Sequence, residues 1–113
     1  MTVNDLVQQL GLKVISGKGG LNKEVSGAYV SDLLSDVMAS SKALQAWITI
    51  QQHKNIMAIA QLKNLSCIIL VKNLLPNEDT KQKSDEIDLP ILQTDDTTFD
   101  ISGKLYLLLK NIK

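Results

Sequence analysis

The sequence predicts an α/β fold: a single compact domain with a mostly parallel sheet flanked by helices. Two observations carry this. Apolar runs rich in β-branched residues recur at 46–50, 67–71 and 89–93, and each pair is separated by enough chain for one helix. The 113 residues, 44% hydrophobic and 21% charged, are also enough for one core without disulfides or metal. In a parallel sheet all strands end at one edge. Polar residues just past Ile50, Val71 and Gln93 are therefore expected to gather at a common rim, where such sheets bind ligands.

The elements follow in order. Val3, Leu6, Val7 and Leu10 repeat at helical spacing, Thr2 and Asp5 form a variant capping box, and Gly11 stands where a left-handed cap ends a helix. Residues 13–15 extend as a brief strand before Gly17-Lys18-Gly19-Gly20, which reads as a turn. A strand is expected over 25–30, and Ser31-Asp32 is an N-cap signal for a short helix through Leu33, Leu34, Val37 and Met38. After the polar break Ser40-Ser41-Lys42 comes the most strand-like run, Ala-Trp-Ile-Thr-Ile at 46–50.

The helix expected over 55–64 has apolar residues around most of its circumference, so it should be covered on more than one side. Residues 77–87 are strongly polar and predict a solvated helix anchored by Leu75 and Ile87. Pro90 fits only the start or edge of the strand at 89–93. Thr97 or Thr98 caps the last helix. There Ile101, Leu105, Leu108 and Ile112 form one stripe, and Phe99, Tyr106 and Leu109 begin a second. Two stripes exceed what the outer helix of a monomer needs, and a homodimer is expected.

Charge and motifs exclude several functions. Twelve basic residues balance twelve acidic ones, which leaves no excess charge for nucleic acid or an anionic membrane surface. No secretory signal pattern or apolar membrane span stands out, and the lone Cys67 lies in an apolar run, so a reducing, cytoplasmic setting is expected. Gly17-Lys18-Gly19-Gly20 lacks the Gly-x-x-x-x-Gly-Lys-Ser/Thr spacing of a phosphate-binding loop. With one histidine and one cysteine, no ligand spacing for a transition metal exists, and neither a metal nor a cofactor is expected.

No catalytic set is evident either. Cys67 in a central strand is a core thiol rather than a nucleophile paired with His53. The acidic residues of 78–100 scatter over a solvated helix and two loops. The best candidate site is the segment joining the strand at 46–50 to the next helix, with Thr49, His53, Lys54 and Asn55 placed to hold a small anionic ligand or nucleotide. Asp32, Lys72 and Asp95 follow other strands and are expected at the same rim. The expected function is a non-enzymatic, dimeric module that binds such a ligand or a partner protein there. The alternatives are a structural adaptor in a larger complex and an enzyme using His53 with Asp32 or Asp95.

Four segments together carry a family resemblance: 19–27 (Gly-Gly-Leu-Asn-Lys-Glu-Val-Ser-Gly), 29–38 (Tyr-Val-Ser-Asp-Leu-Leu-Ser-Asp-Val-Met), 46–49 (Ala-Trp-Ile-Thr) and 89–92 (Leu-Pro-Ile-Leu). They resemble the DRTGG-domain family in its small stand-alone form. That resemblance implies a fold like the N-terminal domain of HPr kinase/phosphorylase, a regulatory or ligand-sensing role, and frequent dimerisation. By the same resemblance, the gene is expected near those of iron-only hydrogenase and sensor-kinase components, as for other stand-alone members. The naming pentapeptide is absent, and the corresponding turn reads Gln52-His53-Lys54-Asn55. An Asp/Arg ligand contact therefore does not transfer, nor does kinase activity, whose phosphate-binding loop belongs to a separate domain.

Overall fold

A computed structural model describes residues 1–111. In chain order these form α1 (Val3–Leu10), β1 (Lys13–Ser16), a single 3-10 turn (Lys18–Gly20), β2 (Gly27–Val30), α2 (Leu34–Ser40), β3 (Gln45–Thr49), α3 (Asn55–Leu62), β4 (Cys67–Leu70), α4 (Glu78–Ile87), β5 (Ile91–Gln93) and α5 (Thr98–Leu109). The five strands make one sheet in the order β1-β5-β4-β3-β2. β2, β3, β4 and β5 run parallel, and only β1 is antiparallel, beside β5.

Strand alternation sorts the side chains into two cores. Ala46, Ile48, Cys67, Ile69 and Leu92 face α1 and α5, which contribute Val3, Leu6, Ile101 and Leu105. Trp47, Ile68, Leu70 and Ile91 face the other way, against Val37 of α2, Ile56, Met57, Ile59 and Ala60 of α3, and Ile87 of α4. The result is three layers, with all three crossover helices on one face. β3 and β4 are buried on both faces, which is why their sequences run apolar without alternation.

The termini of α1 match their signals. Thr2 Oγ1 accepts from Asp5 N (3.2 Å), Asp5 Oδ2 accepts from Thr2 N (2.8 Å), and Gly11 closes the helix at φ 65°. Thr97 caps α5 through Asp100 N (3.2 Å). Pro90 stands directly before β5, where its carbonyl accepts from Ile68 N and no donor is needed from it. The glycine turn has a packing cause. A Cβ on Gly17 would lie 2.5 Å from Leu89 O, one on Gly20 would lie 2.0 Å from Asp88 O, and Gly17 N donates to Asp85 Oδ1 (2.7 Å).

Three expectations need correction. α2 begins one or two residues later than Ser31-Asp32 implied: Leu33 is its N-cap, Ser31 Oγ accepts from Leu33 N (3.1 Å), and Asp32 is drawn toward β3. α4 is not anchored by Leu75, which is 52% exposed, but by Ile87 and two buried hydroxyl residues, Thr80 and Ser84. α3 buries Ile56, Met57, Ile59 and Ala60 but leaves Ala58, Gln61 and Leu62 exposed, the last at 71%, so its cover does not reach as far around the helix as expected. Of the stripe proposed for α5, Ile112 lies outside the described residues.

Candidate functional site

The parallel strands deliver their C-terminal ends to one rim, but the loops beyond them lead to different places. Past β2 and β3, Asp32 Oδ1 accepts from Thr49 Oγ1 (2.9 Å) and Ile50 N (2.9 Å), while Gln51 Nε2 donates to Asp32 O (2.8 Å). Thr49 is fully buried in this clamp. Asp32 and Thr49 therefore bind each other.

Past β4 and β5 the rim is closed by main chain. Lys72 N donates to Asp96 O (3.0 Å), Asn73 N to Thr94 O (2.9 Å), and Gln93 Nε2 to Asn73 O (3.0 Å). Both Lys72 and Asn73 adopt positive φ, at 56° and 59°. The side chains of Lys72 and Asp95 stay exposed, and neighbouring Asp96 pairs with Lys104 at 2.9 Å. That hydrogen bond, with the Asp96 charge behind it, raises the Lys104 pKa.

The loop between β3 and α3 is held to the start of α4. Gln52 O accepts from Asn77 N (3.0 Å) and from the buried Thr80 Oγ1 (2.9 Å), and Gln52 Nε2 donates to Leu75 O. This fixes where the next residues emerge. His53, Lys54 and Asn55 open a groove of about 460 Å³ between α3 and α4, completed by Met57, Ala58, Gln61 and Lys83. Two lysines and a histidine meet there, and none of the lining residues is acidic.

The backbone donors at the start of α3 are largely engaged within the chain. Ile56 N donates to His53 O (3.1 Å), Met57 N to Lys54 O (3.0 Å), and Asn55 N approaches His53 Nδ1 at 3.4 Å. No side chain caps the helix. His53, Lys54 and Asn55 are all exposed at the groove, with the His53 ring turned back on the Asn55 N–H, and any anion held there is held by side chains more than by helix N–H groups.

The structure brings together three of the seven sequence-derived candidates, His53, Lys54 and Asn55. Asp32, Thr49, Lys72 and Asp95 do not line the groove. Sequence reasoning missed Lys83 and Gln61. The signal for Lys83 was the pair Thr80 and Ser84, which mark the inward face of an otherwise polar helix and so place Lys83 on the flank toward α3.

Among the described residues no group of three or more His, Cys, Asp or Glu side chains is placed to hold a metal ion, and no helix is long and apolar enough to cross a membrane. No curated protein sequence gives a significant match to the chain. A solved structure similar in fold contains the CBS and DRTGG domains of the regulatory region of Clostridium perfringens pyrophosphatase, complexed with its activator diadenosine tetraphosphate. The superposition has a TM-score of 0.69 at 10% identity and covers 92% of this chain but 45% of the other. The chain thus spans less than half of that neighbour. The DRTGG domain family matches residues 5–108, nearly the whole sequence. With that match over nearly its whole length, the chain belongs to the DRTGG-domain family.

Proposed function

We propose that this chain is a non-enzymatic regulatory domain of the cytoplasm, acting as a homodimer, whose ligand is a small polyanion of the nucleotide or polyphosphate class. The carrying observation is the groove, where Lys54, Lys83, His53 and Asn55 converge with no acidic neighbour in its walls. The nucleotide activator bound by the two-domain region of the pyrophosphatase supports the ligand class. The enzymatic alternative is weakened by geometry: the Asp32 carboxylate is engaged by Thr49 and Ile50, and neither it nor Asp95 shares the groove with His53.

The chain has no arginine, so its phosphate contacts would come from lysine point charges rather than bidentate forks. Affinity should then fall steeply with added salt. Thermal melting with diadenosine tetraphosphate, ATP and tripolyphosphate tests the reading. A ligand at a hundred times its dissociation constant adds about 2.7 kcal/mol of stability, and the shift should vanish in the double variant Lys54→Ala, Lys83→Ala. No shift with any of the three, or an undiminished shift in the double variant, would overturn it.

A further inference from the structure

Away from the basic groove, α5 presents an unusual outer face. Phe99, Gly103, Tyr106 and Lys110 follow one another at steps of four, three and four, so they form a single stripe. Phe99 is 85% exposed and Tyr106 59%. Alongside the C-terminal half of this helix, where it overlies the edge strand β2, lies a second groove of about 470 Å³ walled by Ala28, Val30, Ile48, Ser102, Tyr106 and Leu109. Ser102 Oγ is buried there without a hydrogen-bond partner among the described residues. Val30, 47% exposed, carries the apolar surface onto the sheet edge.

Gly103 has no reason for being glycine within this chain. A Cβ built on it meets nothing within 4 Å, and its φ is not left-handed. A glycine inside a helix is less stable than an alanine there, so the chain gives up stability where its own packing demands nothing. A bare backbone at the centre of an exposed apolar stripe does suit one purpose, the close approach of another helix.

Resting on the homodimer reading, we infer that two copies pair about a two-fold axis through the outer faces of α5, crossing antiparallel at Gly103. Phe99 of each copy then enters the groove beside Tyr106 of the other. The positions fit that symmetry. Phe99 lies four residues before Gly103, and Tyr106 and Leu107, the latter 57% exposed, lie three and four after it, so a two-fold at Gly103 sets the protruding ring against Leu107 and beside Tyr106, which walls the groove.

Charge favours the same orientation. The first turn of α5 carries Asp100, with Asp96 just before it already paired with Lys104 (2.9 Å), and the C-terminal end carries Lys110, whose ammonium lies over the Tyr106 ring at 5.6 Å. Antiparallel pairing sets Lys110 of each copy toward the acidic turn of the other and opposes the helix dipoles, whereas parallel pairing sets like ends together.

Sedimentation of the full chain at high protein concentration, with two single variants, tests this. The wild type should sediment at twice 12.4 kDa. Phe99→Glu, at an exposed position, should remain folded and become monomeric. Gly103→Cys should form a covalent dimer under mild oxidation, because the crossing brings the two Cα atoms within the range of about 4.4–6.8 Å that a disulfide spans. Buried Cys67 gives the wild type no such product. A monomeric wild type would overturn the homodimer itself. A wild-type dimer that survives Phe99→Glu would overturn this surface alone, and a monomeric Phe99→Glu with no cross-link in Gly103→Cys would overturn the crossing point.

Discussion

Cys67 shows how burial sets the chemistry of a single side chain. It is fully enclosed between β3, α1 and α5, and loss of solvent pushes its thiol up to about 12 from an ordinary 9.0, against a small opposing pull from the Lys23 charge. The linkage runs as a loss at high pH. The native state keeps the proton through the interval in which the unfolded chain releases it, so the contribution is whole below pH 9.0 and disappears as pH rises toward about 12. One proton corresponds to about 1.4 kcal/mol per pH unit within that window. Urea unfolding at stepped alkaline pH should give a slope shallower by about that amount in Cys67→Ala than in the wild type, and equal slopes would refute the assignment. Sequence alone exposed this residue, because a cysteine inside an uninterrupted apolar strand has few other places to be. Asp32 was the opposite case. Its partners Thr49 and Ile50 lie at and just past the end of the next strand, and nothing local distinguishes a carboxylate that clamps two strand ends from one that faces a ligand.

Among the elements, α4 is the one whose seating depends least on apolar contact. Its two fully buried positions are hydroxyls: Thr80 Oγ1 donates to Gln52 O, and Ser84 Oγ donates to Leu89 O (2.6 Å) while accepting from Ser16 Oγ (2.8 Å). Ser84 therefore joins α4, the start of β5 and the end of β1. Ser84→Ala leaves the Leu89 carbonyl without that partner and the Ser16 hydroxyl without its acceptor in a dry site, which should cost about 1–3 kcal/mol. Gln82→Ala, on the exposed side, should stay within about 0.5 kcal/mol. Urea midpoints for the pair test this, and equal midpoints would remove the serine's structural role. The strands and α1 were legible because their signals are local: period, β-branching, a capping box and a glycine stop. The anchors of α4 were not, since one of the two partners that bury Ser84 is a serine 68 residues away. The same limit hid Lys83 from the site while His53-Lys54-Asn55, contiguous and directly past a strand, stood out.

At the scale of the whole molecule, winding decides which part of the rim is open. Three successive crossovers place α2, α3 and α4 on one face, and only after β5 does the chain turn to the other, into α5. The loops leaving β4 and β5 thus diverge to opposite faces, which is the switch point where such sheets ordinarily open a crevice. Here that crevice is filled: Lys72 N and Asn73 N are bonded to Asp96 O and Thr94 O. An open concavity with basic lining lies instead toward the α3–α4 flank. Lys72 separates the two possibilities, because its left-handed backbone, φ 56°, is strained for any residue with a Cβ and relaxed for glycine. If Lys72 serves only to close the loop, Lys72→Gly keeps the N–H bond to Asp96, loses no stability and gains up to about 1 kcal/mol, and polyphosphate binding is unchanged. If ligands entered at the switch point, the same substitution would remove a cation from the site and weaken binding several-fold at low salt. Melting curves of Lys72→Gly with and without tripolyphosphate distinguish the two, and a lost ligand shift there would return the site to the centre of the rim.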